Sequence, residues 1–213
     1  MAYINGKETA VIVNVSYDED YLASICNKTI DVIKNSKATT IWGQFQQSNT
    51  NLVEVDLPSL TAVYSQAFSG CTNLVKINFP AVKIIEPAAF ALCAFTEAYF
   101  PECTTLEGSS SWGHSFQICY FLKRARFTKL TTINAGAAFN TCANLKTFII
   151  ETNSVCSLTV ADAFSDTAIS NGSGYIYVPK ALVNSYKSAT NWSVYAAQIR
   201  AIEDYPEVLE GWE

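Results

Sequence analysis

The stretch that decides the fold reads Phe68-Ser-Gly-Cys71-Thr-Asn-Leu74-Val-Lys-Ile77-Asn-Phe79-Pro80. An aromatic, a cysteine, Asn-Leu and a short apolar run ending in Pro follow one another. The phrase returns as Phe90-Ala-Leu-Cys93-Ala-Phe95-Thr-Glu-Ala98-Tyr-Phe100-Pro101. It returns again as Phe116-Gln-Ile-Cys119 with Leu122, Ala125 and Phe127, and as Phe139-Asn-Thr-Cys142-Ala-Asn-Leu145 with Phe148 and Ile150. Self-similarity at a period of roughly 20–29 residues marks a solenoid, in which each unit buries its apolar face against its neighbours. The register is clear between the first two full copies: Leu60/Val82, Val63/Ile85, Phe68/Phe90 and Cys71/Cys93 are each 22 positions apart.

Outward from this core the pattern loosens. The third copy carries about five extra residues within Gly108-Ser-Ser-Ser-Trp-Gly-His114. The fifth, near Asn144 to Thr167, has Thr167 where cysteine is expected, and Gly172-Ser-Gly174 breaks the pattern. Upstream, Thr39-Thr-Ile41-Trp-Gly-Gln-Phe45 matches Thr131-Thr-Ile133 before Phe139 and reads as a degenerate half repeat. Asn5-Gly6 is a hairpin signal, and Thr9 to Val15 reads as a strand. Ser16 and Glu19 fit a capping box. Tyr21, Leu22, Ile25, Thr29, Val32 and Ile33 follow helical spacing, which predicts a helix from about Tyr17 to Asn35. At the other end, Tyr175-Ile-Tyr-Val-Pro179 repeats the strand-then-Pro phrase, and Lys180 to Ala189 and Trp192 to Ile202 read as short helices. The organisation expected is a cap over 1–38 (hairpin and strand plus helix), five to six repeats over 39–170, and a closing cap and tail over 171–213, in one folded unit.

Composition narrows the function classes. The chain has 213 residues and a net charge of −5, with 13% aromatic and 15% charged residues. An acidic chain is a poor match for nucleic acid, which is bound through a basic face. No run approaches about 18 consecutive apolar residues, so no membrane insertion is expected. The first residues show no basic region followed by an apolar stretch, so they do not read as an export signal. Cysteine occurs seven times, but Cys71, Cys93, Cys119 and Cys142 share one repeat position. They are expected to stack as a reduced, inward-facing column, since cysteine packs as a small apolar group. With no CxxC pair and His114 as the single histidine, no metal site and no cofactor are expected. Catalysis is not expected either: no G-x-S-x-G elbow occurs, no phosphate loop follows a strand, and Glu86, Glu97 and Glu107 fall on different faces of the repeat register.

The repeats, of the form Asn-Leu-x-x-Ile-x-Phe-Pro followed by Ile-x-x-x-Ala-Phe-x-x-Cys, resemble BspA-type leucine-rich repeats. The closing Tyr175-Ile-Tyr-Val-Pro179, with Tyr186, Asn191-Trp192 and Tyr195, is similar to the cap that often follows them. The resemblance runs from about Thr39 to Glu203, and Thr128 departs from it by replacing a Pro. It implies an α/β solenoid of leucine-rich repeats with one parallel strand per repeat, a strand/helix cap at the N-terminus and a strand-helix cap at the C-terminus. Such repeats occur in bacterial surface proteins, some implicated in adhesion to host matrix proteins, and in proteins of phages and gut bacteria. A cell-surface or virion setting is therefore what the resemblance implies, although neither an export signal nor a wall anchor is visible in the sequence.

Side chains alternate across a strand. If Leu74, Ile77 and Phe79 face the core, Lys76 and Asn78 face outward. Carried along the repeats, that register gives two outward columns. One is Glu54, Lys76, Glu97, Arg124, Thr147 and Tyr175. The other is Asp56, Asn78, Tyr99, Arg126, Ile149 and Tyr177. Tyr99, Arg126, Ile149 and Tyr177, with Tyr175 and Arg124 beside them, form an amphipathic strip of residue types favoured at interfaces. The alternative for this strip is cross-strand packing alone. The insertion loop, with Trp112 and His114, is a second candidate, against a loop that merely folds back on the solenoid. The expected function is non-enzymatic binding of a protein or glycan. The competing class is a structural spacer or assembly subunit with no ligand of its own.

Overall fold

A computed structural model describes residues 2–4, 7–11, 29–109, 113–134, 136 and 138–212. Each turn of the chain contributes one strand to a front sheet. Seven such strands follow in order: Val32–Lys34, Glu54–Asp56, Lys76–Asn78, Glu97–Tyr99, Arg124–Phe127, Thr147–Ile150 and Tyr175–Val178. All pair in parallel with the next, except at one break between Lys76–Asn78 and Glu97–Tyr99, which fall in separate sheets. At the N-terminal end Ala2–Ile4 pairs antiparallel with Lys7–Val11, Ile4 opposite Lys7, as the Asn5-Gly6 signal anticipates. Lys7–Val11 then joins Val32–Lys34 in parallel.

The expectation of one strand per repeat is too few. A second parallel sheet is built from Ala62–Val63, Ile84–Ile85, Thr105–Ser109, Thr132–Asn134 and Ser157–Leu158. These segments are only two to five residues long. That is too short for apolar alternation to distinguish them from loop. The third side of each turn is a run of tight turns around Phe68, Phe90, Phe116, Phe139 and Phe164. The solenoid is therefore chiefly β, rather than the α/β arrangement expected.

Two aromatic ladders run down the core. Phe68, Phe90, Phe116, Phe139 and Phe164 stack with ring centroids 5.6, 5.4, 5.1 and 5.5 Å apart. Phe79, Phe100 and Phe127 stack beside them at 6.3 and 5.9 Å. The cysteine column is present as expected. The thiols of Cys71, Cys93, Cys119 and Cys142 donate to the carbonyls of Gln46, Phe68, Phe90 and Phe116, each one turn back. The motif's asparagine works the same way: Asn73 and Asn144 donate Nδ2 to the Thr50 and Tyr120 carbonyls, both at 2.7 Å. Thr167 differs from the cysteines it replaces, because its hydroxyl donates within its own turn, to the Phe164 carbonyl at 2.7 Å.

The expected helical caps form only in part among the described residues. The capping box and most of the expected Tyr17–Asn35 helix lie outside the described residues, and the end of that span, Val32–Lys34, is a front-sheet strand. At the C-terminus the single α-helix among the described residues is Val183–Ser188, with a 3-10 turn at Lys180–Leu182 before it. The second expected helix is a 3-10 turn, Ser193–Tyr195, followed by a strand, Ile199–Ala201, that pairs with Tyr175–Val178. Pairing wins because the exposed sheet edge offers unpaired backbone groups that a helix would leave unmet. Aromatic side chains close the remaining edge. Trp192 Nε1 donates to the Cys156 carbonyl at 2.7 Å, the Tyr186 hydroxyl accepts from the Cys156 amide at 2.9 Å, and Tyr195 donates to the Ala161 carbonyl at 2.5 Å.

Candidate functional site

The two outward columns form as the alternation requires. Arg124 lies between Glu97 and Thr147, and Arg126 lies between Tyr99 and Ile149. Thr147 pairs with Tyr175 and Ile149 with Tyr177. The strip of Tyr99, Arg124, Arg126, Ile149, Tyr175 and Tyr177 is thus one contiguous patch on the front sheet. Arg200, opposite Tyr177 in the Ile199–Ala201 strand, extends it. Its guanidinium carbon stands 3.3 Å from the Tyr175 ring centroid and 4.9 Å from that of Tyr205.

The patch is not open, however. Ile149 is fully buried and Tyr177 only 7% exposed, because the chain's own C-terminal segment crosses them. Ile202, Tyr205, Val208, Leu209 and Trp212 pack with Ile149, Tyr175 and Tyr177 in an apolar cluster separate from the main core. Burial pushes the Tyr177 phenol above its ordinary pKa, against the opposing charge of Arg200. Both arginines are oriented by carboxylates and reach the tail with their remaining N–H groups. Arg124 pairs with Glu97 at 2.8 Å and donates to the Glu210 carbonyl at 2.9 Å and to the Gly211 carbonyl. Arg126 pairs with Glu151 at 2.7 and 3.1 Å, a contact that raises its pKa, and reaches the Leu209 carbonyl at 3.5 Å. The Trp212 ring lies 4.3 Å from the Arg124 guanidinium carbon and 6.0 Å from the Tyr99 ring. Sequence reasoning missed this cover. The apolar side chains of Tyr205-Pro-Glu-Val-Leu-Glu-Gly-Trp212, following the last strand, were the available signal.

Among the described residues, nothing comparable covers the N-terminal half of the front face. Lys34 and Lys76 flank Glu54 at 2.7 and 3.2 Å, and Asn78 donates to Asp56 at 2.8 Å. Burial works against the Glu54 charge, but hydrogen bonds from Lys34 and Lys76 outweigh it, so its pKa lies below the ordinary value. Where the sheet breaks, the face opens into a groove of about 640 Å³ lined by Lys34, Glu54, Asp56, Lys76, Asn78 and Glu97 among others. A smaller pocket of about 170 Å³ adjoins it, walled by Tyr99, Pro101 and Trp212 on one side and by Ile77, Asn78 and Pro80 on the other. The break coincides with a shortened turn: a single residue separates Cys93 from Phe95, where two separate Cys71 from Leu74. Beside the break Ile77 is only partly buried, whereas its equivalents Val55, Ala98 and Ala125 are fully buried.

The second candidate stands apart from this face. Trp112 lies outside the described residues. His114 pairs opposite Gly108 at the edge of the second sheet and is not brought near the strip. Its Nδ1 is buried with no partner among the described residues, and burial lowers its pKa while Asp162 opposes the shift.

A family model for the BspA type leucine-rich repeat region matches residues 22–170 in six copies. The chain belongs to this family. The crystal structure of the pneumococcal vaccine antigen PcpA superposes with a TM-score of 0.57 at 15% identity, over 80% of this chain and 40% of that one. A leucine-rich repeat protein from Bacteroides ovatus aligns with a TM-score of 0.46 at 24% identity, over 71% of this chain and 44% of that one. The chain thus spans well under two thirds of either structure, and the likeness is one of fold. No curated protein matches it by sequence.

Proposed function

We propose that this BspA-type repeat module is a non-enzymatic binding unit that holds a protein or glycan ligand on the N-terminal half of its front sheet, in adhesion or surface recognition. The observation that carries this reading is the groove of about 640 Å³ at the sheet break, into which charged and amide side chains of four successive strands converge. A concave space with a few convergent polar groups is the default site on an uncharacterised fold. The adjoining Tyr99–Trp212 pocket supports it, since an aromatic wall beside Asn78 and Glu97 offers stacking and hydrogen bonding together. That combination suits a sugar ring or a peptide side chain. A ligand captured by the native chain should bind at least tenfold more weakly to a Lys76→Ala/Asn78→Ala variant, read by titration calorimetry, while the cysteine column stays protected. An affinity unchanged by both substitutions would remove the groove from this reading.

A further inference from the structure

The tail over the strip has the construction of a bound peptide rather than of a repeat. Up to Ala201 the chain is held by sheet pairing. After the Tyr205 amide, which donates to the Ile202 carbonyl, the segment's own hydrogen bonds close within it. The Val208 amide donates to the Tyr205 carbonyl, Glu210 to Glu207, and Trp212 Nε1 to the Val208 carbonyl at 2.9 Å. Among the described residues, the hydrogen bonds from the solenoid to this segment come from the side chains of Arg124 and Arg126 alone, and all end on backbone carbonyls, at Leu209, Glu210 and Gly211. No residue of the segment is fully buried. Its anchor lies just before it, where the Lys180 amide and ammonium donate to Glu203 and Asp204. The receiving surface, by contrast, is built into the sheet: Glu97 and Glu151 orient the two guanidinium groups, and Ile149 and Tyr177 form an apolar floor.

We propose that Arg124, Arg126, Tyr99, Ile149, Tyr175 and Tyr177 form a peptide-docking site, that Tyr205–Trp212 is its detachable ligand in cis, and that the same segment of a second copy can take its place. Recognition combines sequence-neutral contacts from the two arginines to backbone carbonyls with a specific contact, the Trp212 ring held against Arg124 and Tyr99. A charged guanidinium stacked on an indole is the favoured pairing for such a contact. In the native chain the tethered tail competes at high effective concentration, so a free copy of the segment binds weakly. Exchange between molecules is then the low-cost route to association known from domain swapping. The site adjoins the groove proposed above, since Gly211 lines that groove and Tyr99 and Trp212 wall the pocket beside it, but its test requires no external ligand.

The test uses a labelled, C-terminally amidated peptide of residues Tyr205–Trp212, titrated by fluorescence anisotropy into full-length chains. A Trp212→Ala chain should bind the peptide at least tenfold more tightly than the native chain, because its own tail competes less. A peptide whose tryptophan is replaced by alanine should lose that binding, a control that leaves the protein untouched. Hydrogen exchange should show residues 205–212 less protected than the front-sheet strands in the native chain, and unprotected in the Trp212→Ala chain. Failure of the Trp212→Ala chain to bind the peptide would overturn the proposal, and so would a native tail as protected as the core. Equal binding of both peptides would overturn the assigned role of Trp212.

Discussion

In six successive turns one residue just before the cysteine position lies in left-handed backbone: Ser48, Gly70, Leu92, Ile118, Thr141 and Asp166, with φ between 56° and 75°. Only one of these is glycine, although side-chain-bearing residues pay roughly 1–2 kcal/mol in this region. The return is a backbone bond between turns. The amides of Ser48, Gly70, Leu92, Ile118 and Thr141 each donate to a carbonyl of the next turn, at 2.7 to 3.0 Å. Gly70→Ala should therefore lower the free energy of unfolding by about 1–2 kcal/mol, since its new Cβ would also stand 3.3 Å from Ser48 Cα. A urea titration with an unchanged slope checks this. His114 gives the chain a pH response. Burial holds its folded pKa below the ordinary histidine value, so as pH falls from 7 through the ordinary histidine range the unfolded chain binds more protons and stability falls. The lost stability is that present above the unfolded pKa. His114→Asn should flatten that part of the urea-midpoint profile. The sequence offered no sign of either effect: turn residues as different as Leu92 and Thr141 share one conformation because the stacked bonds impose it.

At the scale of the element, the ladders carry the stability. Phe116 stacks between Phe90 and Phe139 and is fully buried, so Phe116→Ala should cost about 3–5 kcal/mol by leaving a cavity that neighbours on both sides cannot fill. Thermal unfolding of the variant tests it. The cysteines report on the same core. Burial pushes the Cys103 and Cys156 thiols up to about 12 and those of Cys93 and Cys142 well above their ordinary value. A Cys26→Ala chain should accordingly show no fast-reacting thiol until it unfolds, and rapid labelling of the native state would count against the ladder. Inward and outward columns of the front sheet were legible in the sequence, because Ile77 and Phe79 set a two-residue period that the register of every pair obeys. The second sheet was not, since a two-residue strand such as Ile84–Ile85 carries no period. Nor was the break at Cys93–Phe95, where one residue fewer in a turn interrupts a ladder whose neighbours keep their pattern.

Across the whole molecule, a solenoid is only as stable as its ends, because each turn relies on the next. Trp192 is buried against Phe164 and Tyr186 and closes the last turn through the Cys156 carbonyl. Trp192→Ala should cost about 3–5 kcal/mol, read as a cooperative loss of the late repeats in hydrogen exchange. Among the described residues the front face divides into a half covered by the tail and a half that nothing crosses. The sequence placed the strip correctly on that face but carried no means of showing that residues far along the chain return to cover it. On the proposed function, the N-terminal half binds a macromolecular ligand. The most direct measurement is an array of host matrix proteins and glycans probed with the native chain and with the Lys76→Ala/Asn78→Ala variant. A specific signal that the folded variant loses is expected. A well-folded native chain that is silent across the array, or a signal the variant retains in full, would contradict it.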